Sequence, residues 1–366
     1  MVKTRFVLIV VLLLIPILLS AENPVGVVER SFVPKGPYNW RGAKTHALVT
    51  TIWFPAAPNS KETTQWIGSP DSPFANAGTA ARGADIAAQP DRFPLIVVSH
   101  GTGGSSGMMG WLGTELAAHG YIVAAVNHPG NNAREAYTAQ GFSLWWERAR
   151  DLTNVIDQML QDPTFAKRID TGRIGAAGFS LGGYTMIEIA GGLSNPERYN
   201  QFCKSKQADG MCVPPLEFPD LEAKLNEDAT SDPAIQQSIA HSSDSYRDSR
   251  VSAVFAIAPA LGPSFDPGSL HKISIPVEIV TGDADTIVPV SSSAKFFSQN
   301  IPKSKLTLLP GVGHYTFLGT CSDQAKKTTP KLCVDPKGVD RDSAHKQVAA
   351  IAVKFFELHF ARSTAN

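Results

Sequence analysis

Short apolar runs of the kind that fill a sheet buried on both faces recur at residues 94–99, 121–126, 173–179, 251–258, 277–281 and 305–309. Between them the period lengthens to that of a helix. Met109, Leu112 and Leu116 share one face of a segment that ends near Gly120. Over 143–161, Leu152, Val155, Ile156, Met159 and Leu160 lie on one side, with Glu147, Arg148, Asp151 and Asp157 elsewhere. Residues 349–360 close the chain as a further amphipathic helix. Strands alternating with helices predict an α/β protein, with a mostly parallel central sheet flanked by helices and ligands bound beyond the carboxyl ends of the strands.

Three stretches depart from that rhythm. Residues 25–32 and 47–54 read as opening antiparallel strands, with a turn region at Lys35, Gly36 and Pro37. Residues 58–90, rich in Ala, Gly, Ser and Pro, predict an exposed excursion. Residues 194–250 are polar, hold a cysteine pair and contain no buried run, so an inserted cap over the site is expected there. No internal repeat is visible.

At 366 residues and 43% apolar content the chain is long enough to bury a full core. With 33 basic and 33 acidic residues and no long run of either sign, nothing recruits nucleic acid or an anionic membrane surface. A small, roughly neutral partner is expected. Residues 1–21 carry Lys3 and Arg5, then an apolar run broken by Pro16, then Ser20 and Ala21, the pattern of an export signal. That run falls short of the ~20 residues that cross a bilayer, so no stable membrane insertion is expected after cleavage, and the mature domain is expected to span 22–366, secreted or periplasmic. Export makes disulfides the default for Cys203, Cys212, Cys321 and Cys333. Four cysteines allow three connectivities, of which Cys203 with Cys212 and Cys321 with Cys333 is preferred. Their spacing does not suit zinc.

The candidate chemistry centres on Ser180. The apolar run before it stops abruptly, and Leu181, Gly182 and Gly183 open a helical pattern, so G-x-S-x-G stands at a strand-to-helix turn. Such a turn lifts a serine hydroxyl clear of the sheet and leaves the next amide at a helix start, facing developing negative charge. A serine needs a base, and the base an orienting acid. Asp283 and Asp285 follow the run at 277–281, and His314 follows the run at 305–309, so the order is serine, acid, histidine.

Together SHGTGG at 99–104, AAVNHPG at 124–130, GFSLGG at 178–183, GDADTIVP at 282–289 and GVGHYTF at 311–317 resemble the α/β-hydrolase superfamily, and within it the platelet-activating factor acetylhydrolase and predicted dienelactone hydrolase group. The resemblance implies an α/β-hydrolase fold, Ser180 as nucleophile, Asp285 as acid, His314 as base and the amides of Thr102 and Leu181 as oxyanion hole. It implies an ester hydrolase working through an acyl-enzyme, without metal or organic cofactor. Dienelactone hydrolases proper use a cysteine nucleophile; Ser180 in its place favours ordinary esters. Asp283 remains a rival acid, and His100 and His128 are further candidates to line the pocket. Trp145 and Trp146 offer an acyl wall, with core packing expected of at least one. A non-catalytic binder of small ligands, or a peptidase or polyesterase of the same fold, are the competing functions.

Overall fold

Ten strands form one sheet in the order β10-β9-β8-β7-β5-β6-β2-β1-β4-β3. The computed structural model of the chain describes residues 22–221, 223–224 and 233–363, so the expected export signal lies outside the described residues. The strands are β1 (Val25–Phe32), β2 (Leu48–Pro55), β3 (Thr63–Ser69), β4 (Ser72–Arg82), β5 (Phe93–Ser99), β6 (Ile122–Val126), β7 (Ile169–Phe179), β8 (Val251–Ile257), β9 (Val277–Gly282) and β10 (Ser304–Leu309). From β6 across to β10 every pairing is parallel. β2 joins β6 antiparallel, and β1 pairs β2 antiparallel with Val25 opposite Pro55 and Phe32 opposite Leu48.

Every residue of β5, β6 and β9 is buried. Two apolar layers sit on opposite faces of the sheet. One collects Leu152, Val155 and Ile156 of helix Glu147–Met159 and Ile187 of helix Leu181–Ile189. The other collects Leu112 and Leu116 of helix Gly110–Ala118 and Val348, Ala352 and Phe356 of the closing helix Arg341–Ser363. That double cover is why the strands read as continuous apolar runs.

The expected excursion over 58–90 is instead largely a hairpin. β3 and β4 pair antiparallel, and β4 joins the sheet edge at β1 through Gly26 opposite Ala81 and Val27 opposite Arg82. Its composition hid it, because the residues β4 buries are alanines: Ala75, Ala77, Ala80 and Ala81. Small side chains let helix Gly110–Ala118 approach the strand so closely that a Cβ on Gly110 would lie 2.1 Å from the carbonyl oxygen of Ala77. The strand is made by this approach and by pairing, which override weak intrinsic propensity.

The chain turns back on itself once in the middle of the sheet. After β5 it adds β6 on one side, then crosses to lay β7 on the other. Brought together at this reversal are the carboxyl ends of β5 and β7, the place where open α/β sheets bind ligands. Segment 194–250 holds helices Pro196–Cys203 and Pro233–Ala240. Both cysteine pairs form as preferred, Cys203 with Cys212 and Cys321 with Cys333. Among the described residues, no helix is long and apolar enough to cross a membrane.

Candidate active site

Ser180 follows β7 directly and caps helix Leu181–Ile189 with φ 57° and ψ −117°, a conformation that costs a non-glycine residue of order 1–3 kcal/mol. Neighbouring contacts hold it there. Its N–H donates to Ile257 O at 2.9 Å, and its carbonyl accepts from Tyr184 N at 3.0 Å and Ala260 N at 3.1 Å. The turn also demands bare backbone on both sides. A Cβ on Gly182 would sit 2.0 Å from Ser99 O, and one on Gly178 would sit 2.4 Å from Gly182 O.

From this turn the hydroxyl meets His314. Ser180 Oγ lies 2.9 Å from His314 Nε2, and His314 Nδ1 lies 2.6 Å from Asp285 Oδ2. The carboxylate of Asp285 accepts through Oδ2, so Nδ1 carries the proton and Nε2 is left to accept from the serine. The other Asp285 oxygen accepts from the amides of Ile287 at 3.0 Å and Val288 at 2.8 Å, which fixes the carboxylate plane. Asp283 faces elsewhere. Its Oδ1 accepts from Gly311 N at 2.6 Å and so ties the loop after β9 to the loop that delivers His314.

Thr102 and Leu181 line the same cavity as the serine. Among the described residues, neither amide donates to another protein group. Leu181 opens the helix, where the first amides have no partner of their own and the helix dipole is positive.

The cavity over Ser180 measures about 510 Å³, within the range of small-molecule sites, and is mostly apolar. Phe142, Trp145, Tyr199, Met211 and Leu261 line it, together with Ile67, Phe74, Met108, Leu318 and Leu332. Trp145 thus faces the cavity, whereas Trp146 is buried and donates from Nε1 to Ser238 Oγ at 2.9 Å. Tyr199 and residues 210–215 come from segment 194–250. Ile67 and Phe74 come from the hairpin that composition concealed. That hairpin is linked to the segment after His314, since Ser322 N donates to Phe74 O at 2.8 Å and Asn76 N to Thr320 O at 2.8 Å.

Two expectations are corrected and one residue is added. His100 and His128 do not line the cavity; both are buried behind it and bonded to other groups. Glu217 does line it, beside Gly103. Burial holds its carboxyl above the usual range, opposed by its own backbone amide and by His314. Nothing in its sequence surroundings marked it, because only the fold of a polar segment turns it inward.

A solved ferulic acid esterase from Streptomyces cinnamoneus superposes with a TM-score of 0.61 over 92% of this chain and 90% of its own, at 22% identity. The mostly parallel sheet and flanking helices are common to both. The chain has the α/β-hydrolase fold. Within this chain, residues 50–143 match the family described as platelet-activating factor acetylhydrolase, isoform II. Cutinase est1 of Thermobifida alba is 26% identical over 58% of this chain and 49% of its own length. Platelet-activating factor acetylhydrolase of Cavia porcellus is 26% identical over 37% and 38%. The chain thus spans about half the length, or less, of these curated relatives.

Proposed function

We propose that the protein is an exported serine hydrolase that cleaves carboxylic esters in two acyl-transfer steps. The observation that carries this reading is the hydrogen-bond chain from Ser180 through His314 to Asp285, opening on an apolar cavity. As Ser180 Oγ attacks the ester carbonyl, His314 takes its proton and Asp285 stabilises the imidazolium. The amides of Thr102 and Leu181 receive the oxyanion, a contribution of ~3 kcal/mol per donor. His314 then protonates the leaving alcohol, and water activated by the same imidazole releases the acid and restores Ser180.

Ester rather than amide cleavage is favoured by the names of the similar proteins, which include cutinases, platelet-activating factor acetylhydrolases and a ferulic acid esterase. Segment 194–250 serves as a cap, since its residues form one wall of the cavity. Export is supported by the two disulfides, which persist in oxidising compartments.

Two measurements test the reading together. A fluorophosphonate probe is expected to label Ser180 and to leave Ser180→Ala unlabelled, whereas a non-catalytic binder takes up none. A panel of acyl esters of graded chain length, with a phospholipid and a polyester included, is expected to show turnover that vanishes in Ser180→Ala. Undiminished turnover by that variant would refute the assignment.

A further inference from the structure

Behind the cavity wall lies a second chain of serine, histidine and aspartate. Ser99 Oγ donates to His128 Nε2 at 2.9 Å, and His128 Nδ1 donates to Asp151 Oδ2 at 2.7 Å. The separations resemble those around Ser180, yet all three side chains are sealed from solvent. No substrate reaches Ser99, and no positive-φ turn lifts its hydroxyl. The constellation therefore serves something other than nucleophilic attack.

Its connections identify that role. Asp151 accepts from Arg41 Nη2 at 2.7 Å and from the Tyr38 hydroxyl. Three residues before Asp151 on the same helix, Arg148 donates from Nη2 to the carbonyl of His100 and, at 3.4 Å, to Ser99 Oγ. His100 is held at both ring nitrogens: Nδ1 donates to Gly101 O at 2.7 Å, and Nε2 accepts from His128 N at 3.2 Å. These bonds converge on residues 99–101, immediately before Thr102. The same backbone touches the elbow, since Ser99 O lies under Gly182 and a Cβ on Gly101 would meet Ser180 Cβ at 3.3 Å.

Stability alone does not call for such a cluster. Burial lowers the Arg148 guanidinium to about 9, and its Nε and Nη1 have no partner among the described residues. Apolar side chains of equal volume fill a core without that penalty. What a hydrogen-bonded network adds is direction: it fixes a backbone segment in one register, whereas apolar contacts let it slide.

We infer that Ser99, His128, Asp151 and Arg148 are positioning residues, which hold the amide of Thr102 where the oxyanion forms. The inference rests on the proposed roles of Ser180 and Thr102.

Its test uses the full chain, p-nitrophenyl butyrate as substrate, and a trifluoromethyl ketone as probe. Ser180 Oγ adds to the ketone carbon and its proton passes to His314, leaving a tetrahedral oxyanion that depends on the same amides. Arg148→Met removes the donor to His100 but fits an apolar interior; Ser99→Ala removes one hydroxyl. Each is expected to lower kcat about tenfold or more, less than the 10²–10³ for outright loss of a donor, with KM within about twofold. Ketone affinity should weaken in parallel, with far-UV circular dichroism unchanged. If Arg148→Met does not fold, Ser99→Ala decides alone. A folded Ser99→Ala with kcat within about twofold of the parent, or with kcat lowered but ketone affinity intact, overturns the inference. Ser180→Ala separates the two failures. Parental hydrolysis by it sinks the underlying reading and the inference with it, whereas an inactive Ser180→Ala beside a fully active Ser99→Ala sinks the positioning role alone.

Discussion

His314 Nε2 stands 2.9 Å from Ser180 Oγ, although 134 positions separate the two residues along the chain. Each sits on a loop that leaves the carboxyl end of its own strand, β10 and β7, so the sheet sets the distance between them. Loops tied to a rigid sheet keep a reactive pair aligned without a large entropic cost on binding.

The proposed triad makes its members unequal under mutation. Ser180→Ala is expected to lower kcat by about 10⁴-fold or more, and Asp285→Asn by about 10⁴-fold, because an amide at that position favours the wrong tautomer of His314. Asp283→Asn, which keeps an oxygen to accept from Gly311 N, should stay within about tenfold of the parent. Steady-state kinetics on p-nitrophenyl butyrate check the ranking; an Asp283 variant as damaged as Asp285→Asn contradicts it.

Steric demand at the elbow is testable separately from chemistry. Gly182→Ala would press a methyl to 2.0 Å from Ser99 O, so the backbone must shift, at a cost of about 1–3 kcal/mol or more. Gly172→Ala is the control, since a Cβ there would lie 3.4 Å from Asp170 Oδ1, an ordinary contact. Thermal melts should show a marked loss for the first variant and little change for the second.

Acid should weaken the fold through its buried histidines. Burial lowers the His345 imidazole to about 4; the ring stacks on Trp111 at 4.2 Å and donates from Nε2 to Thr316 O at 2.8 Å. Unfolded, the same ring protonates near 6.5. Between these values the unfolded state binds more protons, so stability falls as pH falls through that window, by on the order of 3 kcal/mol for this group. Burial pushes His100 and His128 in the same direction. Denaturant midpoints measured from pH 7 to pH 4 should therefore decline, and His345→Gln should decline less steeply. Parallel slopes for parent and variant would remove His345 from this account.

The Cys321–Cys333 bridge closes a loop of sequence separation 12 just beyond His314, worth ~3 kcal/mol in the chain-entropy model. Its neighbourhood carries Leu332 at the cavity, Phe74 of β4 and the bonds to β4. Reductant is expected to abolish hydrolysis at concentrations that leave far-UV circular dichroism near its starting value. Simultaneous loss of both signals would show that the bridge supports the whole domain instead.

Much of this arrangement was legible beforehand. The parallel strands announce themselves because burial on both faces leaves only apolar residues, and the elbow because Gly178 and Gly182 are excluded from carrying side chains by contacts under 2.5 Å. The hairpin β3–β4 was not legible. Alanines that pack under a close helix look like the alanines of a solvated loop, and neither periodicity nor propensity separates them.

By itself, then, the sequence determined the alternation of strand and helix and the order Ser180, Asp285, His314, since both follow from local pattern. Tertiary structure alone decided which residues wall the cavity, that Asp285 rather than Asp283 meets His314, and that His100 and His128 turn inward beneath the wall. Those outcomes depend on backbones distant in sequence approaching to within a hydrogen bond, and no local rule contains that separation.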